Sequence, residues 1–250
     1  MNKKQLLSIG EASKYIGVSI DTLRLWEKKG ILLSFRPSKT SKRYYRQSII
    51  DRFLEEGDIS TKKDLVELAK EWVYAKPPKS LSKEYYSETS DVFSARLQRL
   101  SFELSKNKDL KQVSSLIIAI LGEIGNNSFN HNIGNWPDIP GVFFGYNLSQ
   151  QLCVVADRGQ GLLKTLRTVK PNLKNDKEAL VVAFTEYISA RAPEDRGNGL
   201  KFVKSVIEKN PIDLKFYTGS AFLEQKGNSF DYDINTTKQS FHGCLAIISY

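Results

Sequence analysis

Three polar residues stand four apart: Glu123, Asn127 and His131 within LGEIGNNSFNHN. If the stretch is helical, steps of four keep all three within an arc of about 80°. That stripe suits magnesium chemistry. The Asn127 carbonyl can fill one place in an oxygen octahedron while phosphates and waters fill the rest. Glu123, one turn earlier, can orient or deprotonate a nucleophile. About 30 residues on, Asp157, Gly159 and Gly161 form D-x-G-x-G directly after the apolar run LCVVA. An aspartate at a strand end can accept a hydrogen bond from an adenine amino group. Glycines there permit a tight turn and close backbone approach. About 40 residues further, Gly197, Gly199 and Leu200 form G-x-G-L at the start of a helical pattern, with Arg196 just ahead. Glycines at a helix start leave free N–H groups and a positive dipole end for a phosphate. Residues 162–196 read as a mobile lid over a nucleotide, from which Arg191 and Arg196 could reach a γ-phosphate.

Each of these residues alone is ordinary. Glu123 by itself is a solvent-facing helix residue, Asp157 a turn residue, and His131 either a site-edge group or a helix cap. Their order along the chain gives them weight, and so do the elements that must position them. The patterns at 84–106, 109–131, 176–189 and 198–209 predict helices. GVFFGYNL and QLCVVAD predict a hairpin turning near Ser149 and Gln150, and DLKFYTG, SFDYDIN and GCLAIISY predict further strands. Helices on one face of a mainly antiparallel sheet make an α+β two-layer sandwich.

The N-terminal part is chemically different. Residues 1–54 hold 12 Lys/Arg against 4 Asp/Glu, a net +8, whereas the other 196 residues hold 25 against 24. A basic module joined to a neutral one points to a local polyanion-binding surface. SIGEASKYIG predicts a short helix ended by Gly17. SIDTLRLWEKKG predicts a second helix, capped by Ser19, closed by Gly30, and carrying Leu23 and Trp26 on its core face. Together they make a helix-turn-helix. FRPSKTSKRYYR then reads as a two-stranded wing with Tyr44 and Tyr45 in its returning strand, and 47–55 as another helix. An amphipathic helix over 60–73 and the proline linker KPPKS at 76–80 follow. The expected divisions are 1–75 for the basic domain, 76–106 for the linker and a connecting helix, and 107–250 for the nucleotide domain.

The markers Gly17-Val18-Ser19, Thr22 to Glu27 and Arg43-Tyr44-Tyr45 resemble the MerR-type winged helix-turn-helix. The resemblance implies double-stranded DNA as partner. It implies Ser19, Thr22 and Arg24 facing DNA from the second helix, with Arg36, Lys42, Arg43 and Tyr44 from the wing. A homodimer is possible, although the helix after the wing is short for the usual MerR dimer seam. The three boxes at 123–131, 157–161 and 197–200 resemble the GHKL superfamily of histidine-kinase-like, Bergerat-fold ATPases. That resemblance implies ATP and Mg²⁺ as cofactors, with Glu123 as the catalytic or water-positioning acid and Asn127 as the metal ligand. Asp157 is then the adenine reader, with Gly159 and Gly161 shaping its pocket and His131, Arg196, Gly197, Gly199 and Leu200 lining the rest. The last strand opens Gly243-Cys244 where the superfamily usually has Gly-Thr. Helix 84–106 contains no histidine, which argues against an autophosphorylating histidine kinase. The E-x-x-x-N-x-x-x-H style is closest to anti-sigma-factor kinases. Hydrolysis, phosphotransfer to a protein partner, and ATP sensing without catalysis all remain open.

No stretch reaches the 18 apolar residues of a membrane span, and the basic start has no secretory apolar region. The expected address is cytoplasmic. Cys153 and Cys244 lie in apolar runs and read as reduced, buried thiols.

Overall fold

A computed structural model describes residues 6–28, 32–36, 41–56, 64–107, 110, 112–187 and 199–250, the side chains of 52–56 excepted. The expected helix end at Gly30, the wing tip at 37–40, Arg191, Arg196 and Gly197 lie outside the described residues. The chain forms two compact units, residues 1–63 and 64–250.

The first unit runs β1 (Leu6–Ser8), α1 (Ile9–Ile16), α2 (Ile20–Lys28), β2 (Tyr44–Arg46) and α3 (Gln47–Glu56). Local chemistry sets its helix ends. Ser8 and Glu11 form a reciprocal capping box, with Glu11 Oε2 2.7 Å from the Ser8 N–H. Gly17, at φ 80°, takes the left-handed cap conformation and returns its N–H to Ser13. Ser19 Oγ accepts the Thr22 N–H at 3.1 Å and so caps α2. β1 and β2 pair antiparallel with Leu7 opposite Tyr45, and Phe35 bridges to Tyr44. Leu7, Ala12, Leu23, Leu32, Tyr45 and Ile50 make the core, with Trp26 half-buried against it.

The second unit runs α4 (Leu65–Tyr74), β3 (Tyr86–Ser87), α5 (Ser90–Ser105), α6 (Ser114–Asn132), β4 (Val142–Asn147) and β5 (Leu152–Asp157). It continues through α7 (Gly161–Leu166), α8 (Asp176–Thr185), α9 (Gly199–Ile207), β6 (Asp213–Gln225) and β7 (Tyr232–Ser249). The sheet is antiparallel throughout, in the order β3-β4-β5-β7-β6. The predicted hairpin is β4–β5. The two strands expected at SFDYDIN and GCLAIISY are one 18-residue strand, β7.

Three expectations are corrected. The helix expected to end the basic domain, α4, belongs to the second unit, so the division falls at 63/64 and not at 75/76. The stretch 76–106 is more than a connector, because Phe93, Leu100 and Leu104 of α5 are fully buried in the same core as α6. The sandwich is also not purely two-layered. α5, α6, α8 and α9 cover the sheet face bearing Phe144, Val155, Phe216 and Ala246. The opposite face, with Phe143, Val154, Ala156 and Leu245, is covered by Ala69, Trp72 and Val73 of α4. The sequence carries the reason: the apolar runs of β4 and β5 are continuous, as in a strand buried on both faces. Side chains alternate across a strand, so Phe143 and Phe144 need separate covers. Burial of a side chain such as Val73 stabilises by about 1.5–3 kcal/mol. Among the described residues no helix is long and apolar enough to cross a membrane.

Candidate functional site

The first and second boxes meet through Ser128 and Asn132. α6 lies over the end of β5, and Ser128 Oγ donates to Asp157 Oδ2 at 2.8 Å. Asp157 Oδ1 accepts the Gly159 N–H at 2.8 Å. The carboxylate is 2% exposed, and burial pushes its pKa up to about 6 against these hydrogen bonds and one from the Cys244 backbone. The Asn132 side chain donates to Ser128 O at 2.7 Å and accepts the Gln160 N–H at 2.8 Å. A Cβ on Gly159 would fall 2.0 Å from Asn132 Nδ2, so only glycine allows this approach of turn to helix.

The third box reaches the same place where it is described. Gly199 opens α9 against the first box. A Cβ there would lie 2.5 Å from Glu123 Oε2 and 3.2 Å from Asn127 Nδ2. Asn127, Ser128, His131, Asp157, Gly161, Gly199 and Leu200 therefore line one cleft, together with Lys201, Thr165 and Cys244. Glu123, half-buried, stands beside its Gly199 side. The chemistry of this set suits a base with an exocyclic amine at Asp157 and oxygen-ligated Mg²⁺ at Asn127. Among the described residues no group of three or more His, Cys, Asp or Glu could hold a metal unaided. A divalent ion here would need ligand oxygens in addition to Asn127.

The described part of the expected lid is anchored to the core and is not a mobile loop. Residues 161–166 and 176–185 are helices, and Leu166, Leu173, Leu180, Val182 and Phe184 are buried in the main core. Only 188–196 of the expected lid lies outside the described residues. Thr218 on β6, paired in register with Cys244, donates to Gly243 O at 3.1 Å and accepts the Leu162 N–H at 3.1 Å. Both cysteines are free, and burial raises the Cys244 thiol well above its usual range.

Sequence reasoning missed Arg158, the residue between Asp157 and Gly159. It is 1% exposed. Its guanidinium donates to the carbonyls of Trp72, Val73 and Ala75 at 2.5, 2.9 and 3.0 Å, satisfying the open end of α4. It also meets Asp138 at 2.6 Å. Burial opposes the Asp138 charge, but hydrogen bonds from Arg158 and the Ile139 N–H hold the carboxyl below its ordinary range. No sequence spacing links residues 72, 138 and 158.

In the first unit, Ser19, Arg24, Arg36 and Lys42 are exposed, and Thr22, Arg43 and Tyr44 half-buried. Ser19 Oγ and Thr22 Oγ1 are 2.8 Å apart. Arg24 pairs with Asp21 at 2.9 Å on the open surface. Arg36 and Arg43 converge on Glu27, at 3.5 and 2.5 Å. Burial works against the Glu27 charge, yet hydrogen bonds from Ser34 and Arg43 hold its pKa down. Two of the expected wing cations thus also tie the wing to α2. Residues 8–45 match the model of the MerR family regulatory proteins. This segment is a MerR-family helix-turn-helix, a DNA-binding module of regulatory type. The MerR match ends inside β2, before the second unit begins. No curated protein matches the chain.

Proposed function

We propose that the chain is a DNA-binding regulator whose second unit binds ATP with Mg²⁺ in the manner of the GHKL superfamily. The observation that carries this reading is the convergence of sequence-distant boxes on one cleft, with the buried Asp157 carboxylate at one wall and Asn127, His131 and Gly199 at the others. In this reading Asp157 accepts a hydrogen bond from the adenine amino group, and Ser128 fixes the carboxylate's orientation. Asn127 supplies one oxygen to Mg²⁺, while Gly199 and Leu200 offer backbone N–H groups to phosphate. Bound Mg²⁺ would neutralise phosphate charge. Glu123 beside Gly199 is placed to orient a water or a hydroxyl of a protein partner. The basic helix-turn-helix supplies double-stranded DNA binding, and nucleotide occupancy changes a protein partner or a homodimer.

The test is calorimetric titration of the full chain with ATP and Mg²⁺, alongside a thermal melt. A ligand that binds only the native state must raise its melting temperature. Absence of both heat and shift rejects the reading. Glu123→Ala separates catalysis from sensing: retained binding with lost turnover assigns Glu123 the catalytic role, and unchanged turnover removes it.

A further inference from the structure

Lys201 follows the G-x-G-L box by one residue and lines the cleft. It is the only lysine or arginine among the described residues that do so. Its ammonium is half-buried and has no carboxylate partner within ion-pair distance among the described residues. Nζ donates to the neutral carbonyl of Glu186 and lies 5.4 Å from the centre of the Tyr187 ring. The Glu186 carboxylate is itself taken by Lys170, at 2.6 and 2.7 Å. Burial lowers the Lys201 pKa. An ammonium has three donors, and a partly desolvated cation held by one carbonyl gains from an anion brought within reach.

The cleft is also polarised along α6. Asp157, an acceptor, is bonded to Ser128. Gly199, two residues before Lys201, sits against Glu123. Ser128 lies about 7.5 Å further along the helix than Glu123. A ligand matching this lining carries an amine-type donor beside Asp157 and negative charge within reach of Lys201.

We infer that Lys201 is the group that binds the anionic phosphate end of the cleft's ligand, exchanging the Glu186 carbonyl for phosphate oxygen. The inference rests on the nucleotide reading for the identity of the base and on Lys201 for the charge. It makes Lys201 a ligand-binding residue, and it requires that affinity rise with phosphate number.

The experiment titrates the full chain, as wild type, Lys201→Ala and Lys201→Arg, with ATP, adenosine and inorganic tripolyphosphate. A charge-assisted bond corresponds to about ten- to a hundred-fold in affinity. Lys201→Ala should weaken ATP and tripolyphosphate by that factor and leave adenosine within about two-fold, and Lys201→Arg should restore most of the loss. Unchanged ATP affinity in Lys201→Ala overturns the inference. A parallel loss of ATP and adenosine also overturns it, since that marks a structural role. Tripolyphosphate binding that depends on Lys201, with no adenosine binding and no advantage for ATP, upholds the anion site and rejects the adenine reading. A wild type that binds none of the three rejects both.

Discussion

Ser128 on α6 donates its hydroxyl to Asp157 at the end of β5 across 2.8 Å, tying helix to strand at a buried carboxylate of the cleft. The pKa of Asp157 is about 6, against 3.8 for a free aspartate. The folded state therefore takes up this proton more readily than the unfolded state. The stabilisation from protonation is complete below 3.8 and is lost as pH rises through about 6. Asp157→Asn should exceed wild type in stability at neutral pH by about 2–3 kcal/mol, with a gap that closes on acidification. Urea denaturation from pH 4 to pH 8 measures it, and a gap independent of pH contradicts the buried-charge account.

The same titration controls ligand binding with the opposite sign. In the proposed nucleotide reading an adenine amino group bonds to the ionised carboxylate, so nucleotide affinity should fall as pH drops through about 6. Ser128→Ala removes a hydrogen bond that favours ionisation, and its binding midpoint should move to higher pH. Calorimetry across this range would detect both effects; equal midpoints would exclude a role for Ser128.

Arg158 predicts a large stability effect remote from the cleft's chemistry. Its removal takes a charged donor from the carbonyls of Trp72, Val73 and Ala75 and from the Asp138 carboxylate. Arg158→Ala should cost about 3–5 kcal/mol, as for other broken buried pairs. Hydrogen exchange should then rise first at the C-terminal end of α4. A loss spread evenly over the second unit would not fit this assignment.

Gly159→Ala forces the Asn132 side chain away from two hydrogen bonds, to Ser128 O and from the Gln160 N–H. The expected cost is about 1–3 kcal/mol. In an Asn132→Ala background the added methyl meets no such obstacle, so the double mutant should lose less than the sum of the singles. Strict additivity would remove Asn132 as the cause.

In the first unit, Lys42 and Arg43 should separate. Lys42 is exposed, so Lys42→Ala should leave stability unchanged and lower the salt slope of DNA binding by about one. Arg43 also pairs with Glu27, so Arg43→Ala should lower DNA affinity and destabilise the unit. That loss is up to about 1 kcal/mol, because the pair is partly exposed and screened. For wild type, about 5–7 neutralised phosphates give a slope of about −5 to −6 in log K against log salt. A flat salt response excludes phosphate-based binding.

Short-range chemistry was legible in the sequence. The Ser19 cap, the Gly17 turn, the stripe from Glu123 to His131 and the β4–β5 hairpin depend on residues within a few positions of one another, and the chain states them directly. The charge division between the basic first unit and the neutral second was equally plain. Tertiary structure alone decided that α4 covers the second sheet face, that residues 161–187 are anchored in the core through Leu166, Leu173, Leu180, Val182 and Phe184, and that Arg158 joins three distant segments. An amphipathic helix shows that it needs a partner without showing which one, and a lone arginine beside a glycine box gives no sign of a carbonyl cluster 83 to 86 residues earlier. Such contacts are fixed by the closing of the sheet, which brings together groups that local spacing leaves unrelated.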